Sequence, residues 1–457
     1  MPQAAKTLSL GAFEIMCPNF LSNAWSHARS DTRDFDTLGY WQDLARRLDA
    51  GGFDYLFFAD ASGYPMDGDD VPEVVIREAV QFPVLDQMSL ISGLAATVPR
   101  LGFVVTASTT IERPYIHARR FSTLDHLTAG RIGWNIVTSD MQESLVKLLG
   151  EPSVVRHDER YDRATEFVEL CLQLWETAWD DGAFVFDKRA RTAIDPSHVH
   201  RLKYQGKFHA FDGYYPVNPS PQRTPALFQA GSSPRGLRFG GDFAECVFIQ
   251  KRDSASTRAM VDAVRSAAAE SGRARDSVKV INSVSVVVAD TEERAHEIRA
   301  ELEATPSIEA LAAHYLGYSS INLMNRPRNS TLDGARSENG QSSAAKYQNG
   351  AASPTVGEIL AGLPKTTGGL KITGTPEHAA EQLITVGAQA DLDGFLIERT
   401  FGGVDCYDDF IERVMPILRD RGAIPEAPAD GTLRERLTGS ADLRLPGSVR
   451  DAGLPPA

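Results

Sequence analysis

Eight short runs rich in branched and aromatic residues, separated by helical patterns, constrain this chain more than any other feature. They fall at residues 8–15, 53–60, 101–107, 131–138, 225–231, 244–249, 279–289 and 393–397. The run FDYLFFAD (53–60) is almost continuously apolar, as expected of a strand covered on both faces. Between the runs, Trp41, Leu44, Ala45 and Leu48 share one face of a helix that begins near Thr37 and stops at Gly51-Gly52. Ala164, Val168, Cys171 and Trp175 recur at helical spacing over 158–175, and Asp86 is placed to cap a helix carrying Met88, Ile91, Leu94, Ala95 and Val98. Strands alternating with helices read as βα units, and eight such units close into a TIM (β/α)8 barrel, an α/β fold. A doubly wound sheet is the alternative, but no Gly-x-Gly-x-x-Gly follows any of the runs.

The 457 residues read as one barrel domain, 1–457, with three departures from the alternation. Residues 180–223 are rich in Asp, His and Pro and form an insertion. Residues 305–360 form a second, whose polar middle at 325–353 is expected to be either a lid or disordered. The extension 425–457 is expected to pack across a surface or a neighbouring subunit. A net charge of −14 argues against nucleic acid and membrane as partners while leaving room for an anionic ligand in a local pocket. Cys17, Cys171, Cys246 and Cys406 lie far apart with no Cys-x-x-Cys pair, which argues against a metal site or disulfide framework and fits a reducing cytosol. With no secretory leader and no apolar run near the ~20 residues of a bilayer span, a cytoplasmic protein is expected.

Barrel chemistry gathers where strands end and βα loops begin. Asp60 closes the second run. Thr106, Ser108, Thr109 and Thr110 lie at the end of the third, and Asn135 with Thr138-Ser139-Asp140 at the end of the fourth. The fifth ends in AGSSPRG (230–236), which reads either as a phosphate cradle of backbone N–H groups with Arg235 as cationic partner, or as an ordinary Gly-Ser-Pro turn. Asp60 reads as a base, a ligand-ordering carboxylate or a helix cap. Cys17 has no neighbouring base, so packing competes with a nucleophilic role. His157 and Tyr161, four apart at a helix start, share a face. His198 and His200 lack a third metal partner, and His117 and His126 read as structural. The residues alone reach a barrel enzyme with a phosphate-bearing ligand.

The stretches FEIMC (13–17), FDYLFFAD (53–60), REAVQFPV (77–84), HARRFSTLDHLTAGRIGWNIVTS (117–139), HDERYDRATEF (157–167), SPQRTPALFQAGSSPRG (220–236) and DGF (393–395) carry a resemblance. The chain resembles the flavin-dependent monooxygenases of the luciferase-like superfamily, in the group acting on nitrilotriacetate, dibenzothiophene sulfone and long-chain alkanes. The resemblance implies a barrel with insertions over its C-terminal mouth, in dimers or tetramers. It implies FMN in its reduced form, supplied by a separate NAD(P)H:flavin reductase, with O2 as co-substrate and oxygenation of a small organic compound through a flavin (hydro)peroxide. By matching positions, Asp60, Thr106, Asn135, His157, Tyr161 and Ser233 contact FMN, the last three at the phosphate. Cys17, Gln81, Asn135, Asp140 and His314 become the substrate-side catalytic candidates. Alkane-oxidising members carry histidines where this chain has Asp140 and the Pro18-Asn19-Phe20 segment. Those departures leave open a riboflavin lyase that forms lumichrome with reduced FMN and O2. A non-catalytic flavin-binding protein and a deazaflavin-dependent oxidoreductase are further alternatives within the superfamily.

Overall fold

A computed structural model describes residues 6–445 except 20, 22, 23, 140, 336, 338, 340–344, 349 and 428. Asp140 therefore lies outside the described residues. The strands are β1 (Ser9–Ile15), β2 (Tyr55–Ala59), β3 (Gly102–Ser108), β4 (Ile132–Val137), β5 (Phe184–Asp187), β6 (Thr192–Ile194), β7 (Arg201–Gln205) and β8 (Ala210–Tyr214). They continue as β9 (Ala226–Gln229), β10 (Cys246–Ile249), β11 (Lys279–Val288), β12 (Leu370–Gly374) and β13 (Gly394–Glu398). Eight of them close a parallel ring in the order β1-β2-β3-β4-β9-β10-β11-β13, and these are the eight runs read from the sequence.

β12 is a ninth strand that the periodicity did not reveal. It pairs with the far half of β11, from Val284 to Val288, whereas the near half of β11, from Ile281 to Val284, pairs with β13. Its apolar signal amounts to Leu370 and Ile372 in alternation, too short to stand out. Asp86 does cap, accepting from the Met88 N–H, but only a 3-10 turn (Gln87–Ser89) followed by a five-residue helix (Ile91–Ala95). The expected longer helix is broken there.

Alternation along the strands divides the core in two. Phe13, Phe57, Phe228 and Phe248 point into the barrel, with Phe13 5.5 Å from Phe57 and 5.1 Å from Phe248 between ring centroids. Leu10, Leu56, Phe58 and Val105 point outward against Trp41, Leu44 and Leu48 of the Leu38–Gly51 helix. The opposite, N-terminal end of the barrel is plugged by the Leu433–Thr438 helix, whose Leu433 enters the interior cluster. Arg434 there ion-pairs with buried Glu245 at 2.6 Å.

Residues 180–223 contain two antiparallel hairpins, β5–β6 and β7–β8. Within 305–360, helix Ile308–Ser319 packs with helix Val356–Thr366 through Leu311, Tyr315, Ile359 and Leu360. A Cβ at Gly317 would meet Met141 and Pro65, from the loops after β4 and β2, so this layer lies over the C-terminal mouth. Among the described residues no helix is long and apolar enough to cross a membrane, and no group of three acidic, Cys or His side chains is arranged to hold a metal ion.

Candidate active site

The mouth is built first from a hydrogen-bond chain across β2, β3 and β4. Thr106 Oγ1 donates to the Phe58 carbonyl at 2.8 Å, so its lone pair accepts the Asn135 amide, also at 2.8 Å. This fixes the orientation of Asn135, whose Oδ1 faces away and is buried without a hydrogen-bond partner. Gln87 donates to the Thr106 carbonyl at 2.7 Å, and its own Oε1 is left in the same condition, as is Gln81 Oε1. A buried unpaired amide oxygen costs about 1–3 kcal/mol, so the oxygens of Asn135 and Gln87, whose amide groups are both held by Thr106, are acceptors without a donor in the protein. Beside them, Ser139 Oγ donates to Ser108 Oγ at 2.5 Å, and Ser108 shares a hydrogen bond with Thr110 at 2.7 Å. Asp60 lies in the loop after β2, where Ser62 donates to its carboxylate at 3.3 Å.

A second feature stands at the ends of β4 and β9. His157 opens helix His157–Glu176, and Ser233 caps helix Pro234–Phe243 by accepting the Gly236 N–H at 3.1 Å. The two N-termini meet: His157 Nε2 lies 3.4 Å from Ser233 Oγ, and Tyr161 follows one turn later with its ring 5.2 Å from that of His157. Burial raises the Tyr161 phenol above its ordinary value, although Ser233 and Thr138 offer it hydrogen bonds. A Cβ on Gly231 would stand 2.6 Å from Tyr161 Oη, and one on Gly236 2.8 Å from it. Two positive helix ends, three hydrogen-bonding side chains and two glycines meet here, an arrangement whose electrostatics favour an anion. The Arg235 guanidinium pairs with Asp162 at 3.0 Å and lies 5.8 Å from the centroid of the Tyr161 ring, at the edge of this feature.

The remaining candidates lie across the mouth. Cys17 is fully buried, donates to the Asn19 carbonyl at 2.5 Å, and is pushed up to about 12 by burial, so it stays a thiol. Gln81 sits at φ 50° in the turn after Glu78. The Glu78 carboxylate accepts from Ser307, the cap of helix Ile308–Ser319, at 2.9 Å. That helix seats Ala310 and Ala313 on Val75 and Val80, which brings His314 and Gln81 to the same side of the barrel. Burial drives His314 down to about 4. His198 and His200 lie in or beside the hairpin insertion, held by Asp181 and Asp180, and His117 is packed between Phe121 and Trp134.

Sequence reasoning missed Gln87, the buried Glu14–Arg399 ion pair at 3.1 Å, and Glu398, which accepts from the Gly369 N–H at 2.8 Å inside the barrel end. A charged residue inside an apolar strand, as in AFEIM and FLIER, was the available signal.

With this geometry in place, the comparisons with known proteins are direct. The chain belongs to the luciferase-like monooxygenase family, which it matches over residues 12–391. Long-chain alkane monooxygenase of Geobacillus thermodenitrificans is 38% identical over 96% of both chains. Dimethyl-sulfide monooxygenase of Hyphomicrobium sulfonivorans is 34% identical over 96% of this chain and 92% of its own length. Among solved structures, a riboflavin lyase crystallised with modified FMN and riboflavin aligns over 98% of this chain and 99% of its own, with a TM-score of 0.92 and 37% identity.

Proposed function

We propose that this protein is the oxygenating component of a two-component, FMN-dependent monooxygenase acting on a small organic substrate. The observation that carries the reading is the meeting of two helix N-termini, where His157, Tyr161 and Ser233 gather beside Gly231 and Gly236, which supports a place for a terminal phosphate. The orphaned oxygens of Asn135, Gln87 and Gln81 supply the complementary acceptors for a ring edge bearing N–H donors. Asp60 and Thr106 flank that ring. Bound in its reduced state, FMN supplies two electrons to O2, so that one oxygen atom enters the substrate and the other leaves as water.

The chain's own work is to bind, orient and exclude water. Tyr161 and Ser233 donate hydroxyl hydrogens to the phosphate, and Asn135 Oδ1 accepts from the ring. Cys17, Gln81 and His314 line the substrate side. There Cys17 stays a thiol held on the Asn19 carbonyl and His314 a neutral imidazole, consistent with the directions of their pKa values. The Ile308–Ser319 helix closes that side. A separate NAD(P)H:flavin reductase provides the reduced flavin. This agrees with the missing dinucleotide fingerprint and with a 28% identical relative that is component A of nitrilotriacetate monooxygenase. The working unit is a cytoplasmic homodimer or homotetramer.

The close fit to a riboflavin lyase structure favours a second reading, cleavage of riboflavin to lumichrome with the same cofactor. One experiment addresses both. The protein is incubated with FMN, a flavin reductase, NADH and 18O2, together with an alkane, a dialkyl sulfide, an aminopolycarboxylate or riboflavin. An 18O-labelled product supports the first reading and lumichrome the second. If each compound is recovered unchanged, both fail.

A further inference from the structure

We propose that Gln229, the last residue of β9, is a positioning residue of the phosphate cradle at His157, Tyr161 and Ser233. In the flavin-bound protein its amide N–H donates to the Tyr161 hydroxyl oxygen, so that the hydroxyl hydrogen is kept for the phosphate. The proposal rests on the flavin reading above and adds one residue to that site.

Alternation along β9 turns Phe228 into the barrel and Gln229 outward, against helix Pro234–Phe243. Only 2% of Gln229 is exposed there. Three glycines make its room. Gly236 and Gly240 stand four apart on the helix and so share a face, and a Cβ on Gly236 would come within 3.0 Å of the Gly231 carbonyl carbon. A Cβ on Gly240 would stand 3.0 Å from Gln229 Oε1, and one on Gly231 would run into Gln229 Nε2, so the amide lies between these two glycines. The same Cβ on Gly231 would stand 2.6 Å from Tyr161 Oη. The amide nitrogen and the phenol oxygen therefore abut one bare face of Gly231, with no other side chain closer to it.

As a filler for this slot a glutamine is costly. Its Oε1 is buried without a hydrogen-bond partner, and its Nε2 makes no hydrogen bond among the described residues. A methionine of similar length would fill the same space without leaving an amide unpaired. The neighbouring phenol gives the amide its use. A hydroxyl that turns its one hydrogen to an anion keeps lone pairs that accept, and a donor placed on them favours that orientation and polarises the O–H bond. Gln229 brings such a donor to Tyr161 from beneath, on the side closed to solvent by the helix.

The test titrates the protein anaerobically with reduced FMN and with reduced riboflavin, which lacks the phosphate. Gln229→Met keeps the length of the side chain and removes the amide. It is expected to weaken FMN about tenfold, to leave riboflavin unchanged, and to add no further loss in a Tyr161→Phe background, because the role runs through that hydroxyl. Gln229→Glu keeps both size and polarity but replaces the donor with a carboxylate, and is expected to weaken FMN more than Gln229→Met does. Unchanged FMN affinity in both variants, equal losses for FMN and riboflavin, or losses that add in the double variant overturn the role. A wild type that binds the two flavins equally overturns the cradle itself, whatever the Gln229 variants do.

Discussion

Asn135 and Thr106 are paired in register on adjacent strands, and their side chains are joined at 2.8 Å. The contact turns a flexible amide into a fixed one and leaves a buried carbonyl oxygen free to accept, the group proposed to meet the flavin. Thr106→Val removes the acceptor that orients Asn135, and Asn135→Ala removes the oxygen itself. Each change is expected to weaken reduced-FMN binding about tenfold, the worth of one hydrogen bond, with secondary structure unchanged by circular dichroism. Identical anaerobic titration curves for wild type and both variants contradict this contact.

The phosphate cradle predicts a ranked series. Tyr161→Phe and Ser233→Ala are each expected to remove one proposed charge-assisted hydrogen bond, about 1.5–3 kcal/mol, and so to lower FMN affinity ten- to a hundredfold. Gly231→Ala is expected to match or exceed them, because the new methyl runs into Gln229 Nε2 and stands 2.6 Å from Tyr161 Oη, so both side chains must shift. Arg235→Gln ranks last. Its guanidinium is already paired with Asp162, half-exposed, and such pairs are worth at most about 1 kcal/mol. A larger loss for Arg235→Gln than for Ser233→Ala reverses the assignment.

His314 predicts a pH dependence. Burial lowers it from the ordinary 6.5 to about 4, so the unfolded chain takes up this proton before the folded one does. Its contribution is complete above pH 6.5 and is lost as pH falls from there to 4, a range worth on the order of 3 kcal/mol. Urea unfolding at neutral pH and near the lower limit checks this. His314→Phe is expected to lose less stability on acidification than wild type, and parallel losses contradict it.

Glu14 and Arg399 carry the fold at the ends of β1 and β13. Their charged groups lie 3.1 Å apart with 1% and 3% of each side chain exposed, and Tyr407 donates to the Glu14 carboxylate at 3.0 Å. Arg399→Met strands a buried carboxylate, and the expected cost is about 3–5 kcal/mol in denaturant unfolding. Adding Glu14→Gln is expected to restore part of it, and a double variant no better than the single contradicts the pairing.

The barrel strands were legible because a strand covered on both faces writes a dense apolar run, and FDYLFFAD or IGWNIV can be little else. The cradle was legible only in part. AGSSPRG names its glycines and hydroxyls, but the partner helix bearing His157 and Tyr161 begins more than 70 positions earlier, and the family resemblance supplied the link. Local sequence did not reveal the ion pair of Arg235, because Asp162, its partner, comes from that same distant helix. β12 and the pairing of Glu14 with Arg399 escaped for a related reason: each depends on a partner far along the chain, although the charged residues inside AFEIM and FLIER were themselves a signal.

Anaerobic equilibrium dialysis of the purified protein against dithionite-reduced FMN, with Gly231→Ala alongside, tests the flavin site most directly. Saturable retention of one flavin per chain by the wild type, with a large loss in the variant, is the predicted result. Failure to retain reduced FMN at millimolar concentration, or retention that the added methyl leaves untouched, contradicts it.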